Sequence, residues 1–327
     1  MDNFSYSIVI RTLGNTGDKY RTMLRAIERQ TLRPSEVVVV LPEGCMPDHT
    51  LGYERVVHCK KGMVTQRAVG IAEASADYIL VVDDDLDFPP DFVERVHATL
   101  TKRNLDCVLA YSGVPDAPSE HVRVMFKQKL KRKLMRLRGA FTGQVFYSNR
   151  KSPFFDTIAS TGGHRTYVNC PEGLCQTGCF QCFFIKSDKA KAVKFEEEVW
   201  LEQGSISSYA AYDDAVFFYK LYLQGGRIAY ASDTGYTHLD AAAGRQAKDR
   251  LSARRIRLYT IARNRTIFWR RLIWPSRKGL CTLAGGIYGM LNYALYSIVI
   301  NLRPRHWPAI AALFHGYRDA FTYISNS

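Results

Sequence analysis

Residues 78–92 constrain the fold more than any other stretch. The run Tyr78-Ile79-Leu80-Val81-Val82 passes directly into Asp83-Asp84-Asp85-Leu86-Asp87-Phe88-Pro89-Pro90-Asp91-Phe92. Five apolar or aromatic residues in a row have the character of a strand buried on both faces, as in a parallel α/β sheet. The strand stops at three adjacent carboxylates, and the Pro pair behind them marks a turn. Adjacent anions repel, and hard divalent ions such as Mg2+ and Mn2+ prefer carboxylate and phosphate oxygens. In open α/β sheets, ligands bind beyond the carboxyl ends of the strands, where these acids fall. The competing reading is an acidic loop that caps a helix starting near Pro90.

The preceding residues set this strand in a repeating α/β pattern. Residues 6–10 form a short apolar run, and a helical pattern from Asp18 puts Tyr20, Met23, Leu24 and Ile27 on one face. Val37-Val38-Val39-Val40-Leu41 follows as a second doubly buried strand, completing a βαβ unit. A second helix is expected over about 63–75. No Gly-rich phosphate loop accompanies these elements, so phosphate handling falls to a metal and basic side chains.

The order Ile8-Val9-Ile10-Arg11-Thr12, Gln30-Thr31, Val37–Val40, Gln66-Arg67-Ala68-Val69-Gly70 and Val82-Asp83-Asp84-Asp85 resembles the family 2 glycosyltransferases of the GT-A fold. The resemblance covers about the first 110 residues and resumes near 180–240. It implies an α/β, Rossmann-like mixed sheet flanked by helices, a nucleotide-sugar donor (UDP- or dTDP-linked), a bound Mn2+ or Mg2+, and inversion at the anomeric carbon. It also implies donor contacts at Arg11, Thr12, Glu43, Arg67, Asp83 and Asp84, and metal ligation by Asp85 with Asp83. Ala68 and Pro42 stand where the family more often has Asn and Asp. A metal suits the chemistry, because a departing nucleoside diphosphate gains negative charge in the transition state.

A second acidic feature opens Tyr212-Asp213-Asp214-Ala215-Val216-Phe217-Phe218, a strongly apolar helix that closes on Gly225-Gly226. Capping accounts for one acid at a helix start but not for both. Inverting transfer needs a carboxylate to take the acceptor's proton. The pair resembles the family's acceptor-site motif, which implies Asp214 as base and Asp213 as a ligand of acceptor hydroxyls. The helix dipole is expected to lower the pKa of the base. His238 alone reads as a structural histidine; the resemblance implies that it completes the metal shell. Tyr-Asp-Asp-Ala followed by this His is similar to galactofuranosyltransferases.

Composition bounds the rest. A chain of 327 residues that is 46% hydrophobic can bury a large core. The first residues carry no basic and apolar leader pattern, so the start is expected to be cytosolic and the eight cysteines reduced. Cys170, Cys175, Cys179 and Cys182 lack the long central gap of paired zinc hairpins and read as core or loop thiols. The net charge of +14 concentrates in two stretches: residues 123–138 hold eight Lys/Arg and no acid, and residues 245–278 hold twelve against Asp249 alone. In the first, Phe126, Leu130, Leu134 and Leu137 make an apolar stripe beneath a cationic face. The second precedes Leu280–Leu302, 23 residues without a charge, long enough to cross a bilayer or to lie in its interface. The expected organisation is a catalytic domain over 1–244, with a nucleotide-sugar half (1–111) and an acceptor half (112–244), then a basic helical membrane-associating region over 245–327. The expected partners are the nucleotide sugar, a glycan or lipid-linked acceptor in cell-surface polysaccharide synthesis, and the anionic cytoplasmic face of the cell membrane. A nucleic-acid-binding reading leaves both acidic clusters unexplained and has no recognition module. A nucleotidyltransferase would carry a better Gly-rich basic loop than Arg11-Thr12-Leu13-Gly14-Asn15-Thr16-Gly17.

Overall fold

The computed structural model describes residues 4–112, 136–239 and 249–326. Its centre is a mixed sheet whose parallel half contains β1 (Tyr6–Arg11), β2 (Glu36–Pro42), β3 (Arg55–Cys59) and β4 (Tyr78–Asp83), in the order β3-β2-β1-β4. These strands are apolar on both faces because both faces are covered. Val38, Val40, Val9, Ile79 and Val81 belong to one core cluster, whereas Val37, Val39, Ile8, Ile10, Leu80 and Val82 belong to the other. That is the period-two alternation of a pleated strand. Helices α1 (Asp18–Glu28) and α2 (Met63–Glu73) join the early strands, and α1 buries Tyr20, Met23, Leu24 and Ile27 as its pattern requires. Helix α2 lies close to the sheet at Gly70, where a Cβ would stand 2.3 Å from Val9 Cγ1. A larger residue there would lift the helix that carries Arg67.

Beyond β4 come the two-residue β5 (Leu86–Asp87), α3 (Phe92–Lys102) and β6 (Cys107–Ser112). The short strands β7 (Val145–Ser148), β8 (Phe154–Ile158), β9 (His164–Tyr167) and β10 (Leu174–Cys175) extend the far edge, and β11 (Cys182–Lys186) runs antiparallel between β4 and β6. After α4 (Ser187–Ala192) and α5 (Asp213–Leu223), β12 (Ile228–His238) pairs parallel with β6. Its register shifts between Tyr230 and Gly235, and its end pairs with β5. The result is a mixed sheet flanked by helices. The exposed edge strand β3 had no expectation in the sequence; only the middle of Arg55-Val56-Val57-His58-Cys59 is apolar.

The basic C-terminal region differs from its reading as a cationic surface. Helix α6 (Arg250–Phe268) is capped by Asp249, whose side chain accepts from Leu251 N and Ser252 N. Its second half enters the domain, and Ile267, Phe268, Trp269 and Ile273 join one of the two sheet cores. Arg263 and Arg265 are buried there because their guanidiniums satisfy backbone carbonyls: Arg263 donates to Trp200 O, and Arg265 to Thr142 O, Gly143 O and Thr161 O. Such contacts close loop ends that would otherwise leave buried acceptors unpaired.

Helix α7 (Leu280–Val299) and helix α8 (Trp307–Ser325) follow, with α8 laid along α6. Among the described residues no helix is long and apolar enough to cross a membrane. The spanning alternative for 280–302 is therefore replaced by a helix lying along the domain. Thr282, Gly286, Gly289, Tyr293 and Ser297 are buried, and Gly286 abuts the Trp269 indole, whereas Leu283, Ile287, Leu291, Leu295 and Val299 are exposed. Of the basic stretch 123–138, only 136–138 fall within the described residues, so the stripe through Phe126, Leu130 and Leu134 lies outside them.

Candidate active site

The site lies at the carboxyl ends of β1, β2 and β4. Register alone brings two of its residues together, since Arg11 ends β1 directly opposite Asp83 at the end of β4. Arg11 Nη2 stands 3.2 Å from Asp83 Oδ1, and Arg67 Nη2 reaches the same oxygen at 3.1 Å from helix α2. The other Arg67 terminal nitrogen donates to Asp213 Oδ2 at the start of α5. The guanidinium lies over the Phe180 ring, 4.4 Å from its centroid, and Arg67 is only 3% exposed. One buried cation thus ties the aspartate run to the acid pair, two features 130 residues apart in sequence.

Burial alone would push the Asp83 carboxyl up, but Arg11 and Arg67 outweigh it and hold the group below the usual carboxylate range. Arg67 is held protonated in the same way, its burial more than offset by Asp83 and Asp213. The buried Nε–H groups of Arg11 and Arg67 both lack a hydrogen-bond partner. Orphaned donors of this kind suit a ligand rich in acceptor oxygens.

The three aspartates diverge. Asp84 turns toward the loop after β1, where Oδ2 accepts from Thr12 Oγ1 at 2.5 Å and Thr16 Oγ1 at 2.6 Å. Gln66, buried beside Arg67, donates to Thr12 O at 2.9 Å and Val40 O at 3.0 Å, fixing that loop to β2. Glu43 follows β2 in a tight turn that includes Gly44 at φ +76°, and its side chain is exposed. Asp85 faces the opposite end of the chain: the pairing of β5 with β12 sets His238 Nε2 3.4 Å from Asp85 Oδ1.

The expected trio of metal ligands therefore separates. Asp85 and His238 are together, but Asp83 is engaged by two arginines, and among the described residues no three His, Cys, Asp or Glu side chains gather as a metal cage. The cysteines of 170–182 are free thiols, with Cys175 and Cys182 buried. Burial raises the thiol of Cys179, which neighbours Asp83 and Asp214, to about 11.

The acid pair departs from the dipole argument. Asp213 is raised to about 6, chiefly by burial and further by Asp214, against the opposing pull of Arg67. Asp214 is also raised by burial, against the Ala215 N–H that it accepts at 2.7 Å. Desolvation wins at the first turn of α5, where Asp213 is buried and the preceding Tyr212 packs against Phe268. Asp213 is engaged by Arg67, and Asp214 is the more exposed of the two.

Tyr212 precedes the pair at φ +76°, an unusual conformation for an aromatic residue that sets where the helix begins. Asn264 on α6 braces it by donating to Leu201 O at 2.8 Å and Ala211 O at 3.0 Å. Gln66, Phe180 and Asn264 were assigned no role from sequence. Gln66 sits inside the quoted motif, but the other two lie in ordinary apolar or basic surroundings that carry no signal.

With this geometry in view, residues 54–157 match the family described as Glycosyl transferase family 2. The matched segment includes Arg67 and the whole aspartate run; the acid pair and His238 lie after it. The chain is 37% identical over 81 residues to the uncharacterized glycosyltransferase YwdF of Bacillus subtilis (strain 168), a stretch covering 23% of this chain and 30% of that protein. The chain thus matches under a third of this relative's length. Among solved structures, S. aureus TarS 1-349 in complex with UDP-GlcNAc is similar at 14% identity and TM-score 0.45, covering 99% of this chain and 93% of that one. The mannosyltransferase PcManGT from Pyrobaculum calidifontis, in complex with GDP-Man and Mn2+, is similar at 13% identity and TM-score 0.47, covering 98% and 88%.

Proposed function

We propose that the chain is a metal-dependent inverting glycosyltransferase that moves a sugar from a nucleotide-sugar donor to a hydroxyl of a glycan or lipid-linked acceptor. The observation that carries this reading is the buried Arg67 bridge, which holds the donor-side Asp83 and the acceptor-side Asp213 in one fixed arrangement. A site for two substrates needs such a tie, because reacting groups must be held in register.

In this reading Thr12, Glu43 and Asp84 flank the nucleoside, and Arg11 and Arg67 direct their unpaired Nε–H groups to the diphosphate. Asp85 and His238 would hold Mn2+ or Mg2+. Two protein donors fit such an ion, which commonly takes one or two carboxylates and completes its shell with substrate phosphates and water. The ion would supply positive charge at the leaving diphosphate. Asp83, engaged by both arginines, orients them rather than the ion. Asp214 takes the proton from the acceptor hydroxyl as that oxygen attacks the anomeric carbon, and the nucleoside diphosphate leaves from the opposite side. A raised pKa makes Asp214 a stronger base once it is ionised.

The Tyr212–Ala215 motif together with His238 supports a galactofuranosyl donor as one candidate. The exposed stripe of α7, with Trp307 and Arg303 and Arg305 beside it, supports peripheral attachment to the anionic cytoplasmic face of the cell membrane, the setting for surface polysaccharide synthesis. The test is thermal unfolding with a panel of nucleotide sugars and Mn2+. A true donor raises the midpoint by mass action only when the ion is present, and a panel without effect would refute the reading.

A further inference from the structure

A polar cavity of about 460 Å3 opens between α6 and α7. Arg250, Arg254 and Arg257 enter it from one face of α6, and Arg138 meets them from the preceding part of the domain. Among the described residues no carboxylate lines it. The acid nearest in sequence, Asp249, already has its carboxylate on the first amides of α6. Among the described residues none of the four arginines has an acidic partner in an ion pair. Arg254 is fixed by Asn301 Oδ1 at 2.6 Å, and Arg138 rests 4.9 Å from the Tyr296 ring centroid.

Clustered arginines repel, and planar guanidiniums that converge without carboxylates match a phosphate group. The Ser297 hydroxyl, buried in the cavity wall, stands beside the Tyr293 phenol. The rim is apolar and exposed, with Ile300 lining the cavity and Leu295, Val299 and Leu302 next to it.

We propose that this cavity binds the phosphate of an amphiphilic phosphate ester, with Arg138, Arg250, Arg254 and Arg257 on the phosphate and the α7 stripe along the apolar chain. Its position suits an acceptor. Tyr209, whose phenol burial raises, has Asp213, Asp214 and Arg257 among its charged neighbours. The assignment of the ligand as acceptor rests on the proposed transfer reaction; the binding of phosphate does not.

The test uses the full chain and two probes: phosphatidylcholine vesicles with and without phosphatidic acid, followed by sedimentation, and inorganic pyrophosphate, followed by calorimetry. The variant is Arg250→Gln with Arg257→Gln, both exposed and without a protein partner that would threaten folding. The control, Arg33→Gln with Lys102→Gln, removes the same charge from exposed positions elsewhere. The site predicts that the first variant weakens binding of the phosphate probe by roughly thirtyfold, from about 1 kcal/mol for each arginine, while the control retains it. Loss on anionic vesicles that pyrophosphate competes away identifies a lipid headgroup as the source. Loss on pyrophosphate alone identifies a soluble phosphate ester. Equal loss in variant and control, or no loss in either, overturns the proposal. Nucleoside diphosphate affinity with Mn2+ is measured alongside; it reports on the donor site and should be the same in all three proteins.

Discussion

Replacing Arg67 by Met tests the bridge between the two halves of the site. Met keeps the length of the side chain over Phe180 but strands Asp83 and Asp213, which are buried and lose a shared cation. Breaking a buried ion pair from one side costs about 3–5 kcal/mol, because the remaining charge is uncompensated. At about 2.1 cal/mol/K per residue, a 327-residue chain unfolds with an entropy near 0.7 kcal/mol/K, so the midpoint should fall by about 4–7 °C at neutral pH.

The loss must depend on pH in a stated direction. In the native protein Asp83 is held below its usual range, so its contribution is present above the unfolded pKa and disappears as pH falls through the lower folded value. In the variant both carboxyls titrate high and can take up a proton as the solution becomes acidic. The difference between the two proteins should therefore be largest at pH 7 to 8 and shrink toward pH 4. Calorimetric unfolding across that range is the assay. A midpoint shift under 1 °C, or one that does not change with pH, would refute the argument. Arg67→Lys should recover only part of the loss, since an ammonium cannot serve both carboxylates in the geometry of a guanidinium fork.

Three further outcomes follow from the site. Asp85→Ala should abolish the Mn2+-dependent part of nucleoside diphosphate binding and slow transfer on the order of 10²-fold or more; unaltered calorimetric affinity would remove Asp85 from the metal site. The acid pair should produce a rising limb in kcat/KM with an apparent pKa of about 6 that belongs to the two groups jointly, activity falling about tenfold per pH unit below it; a limb near 4 would mean that burial does not control the base. Asn264→Ala leaves the carbonyls of Leu201 and Ala211 unpaired, costs about 1–3 kcal/mol, and should lower kcat with donor affinity unchanged. A fall in donor affinity instead would show that the brace acts on the other half of the site.

Much of the parallel half of the sheet is legible in the sequence because its signals are local. The β2 run of valines, the apolar face of α1 and the aspartates at the end of β4 each declare an element within a few residues. The pairing of Asp85 with His238 is less so, because it depends on a register between β5 and β12 across about 150 residues. The direction of the acid-pair shift opposes the expectation from the helix dipole for a related reason. The sequence shows that Asp213 and Asp214 open a helix, but the burial that overrides the dipole is tertiary, with Tyr212 packed against Phe268 of α6. The basic stretch 245–278 misleads in the same way. Arg263 and Arg265 look like surface charge by composition and are in fact buried donors to loop carbonyls. Composition counts charges, but only tertiary contacts say which of them meet water.

The central claim is that one site holds a nucleotide sugar and a base for its transfer. It is tested most directly by measuring which product leaves when the chain is incubated with Mn2+ and the nucleotide sugar that stabilises it, for the native protein and for Asp214→Asn. The account predicts release of nucleoside diphosphate coupled to sugar transfer by the native chain, and retained donor binding without transfer in the variant. Release of pyrophosphate, or equal turnover by both proteins, would contradict it.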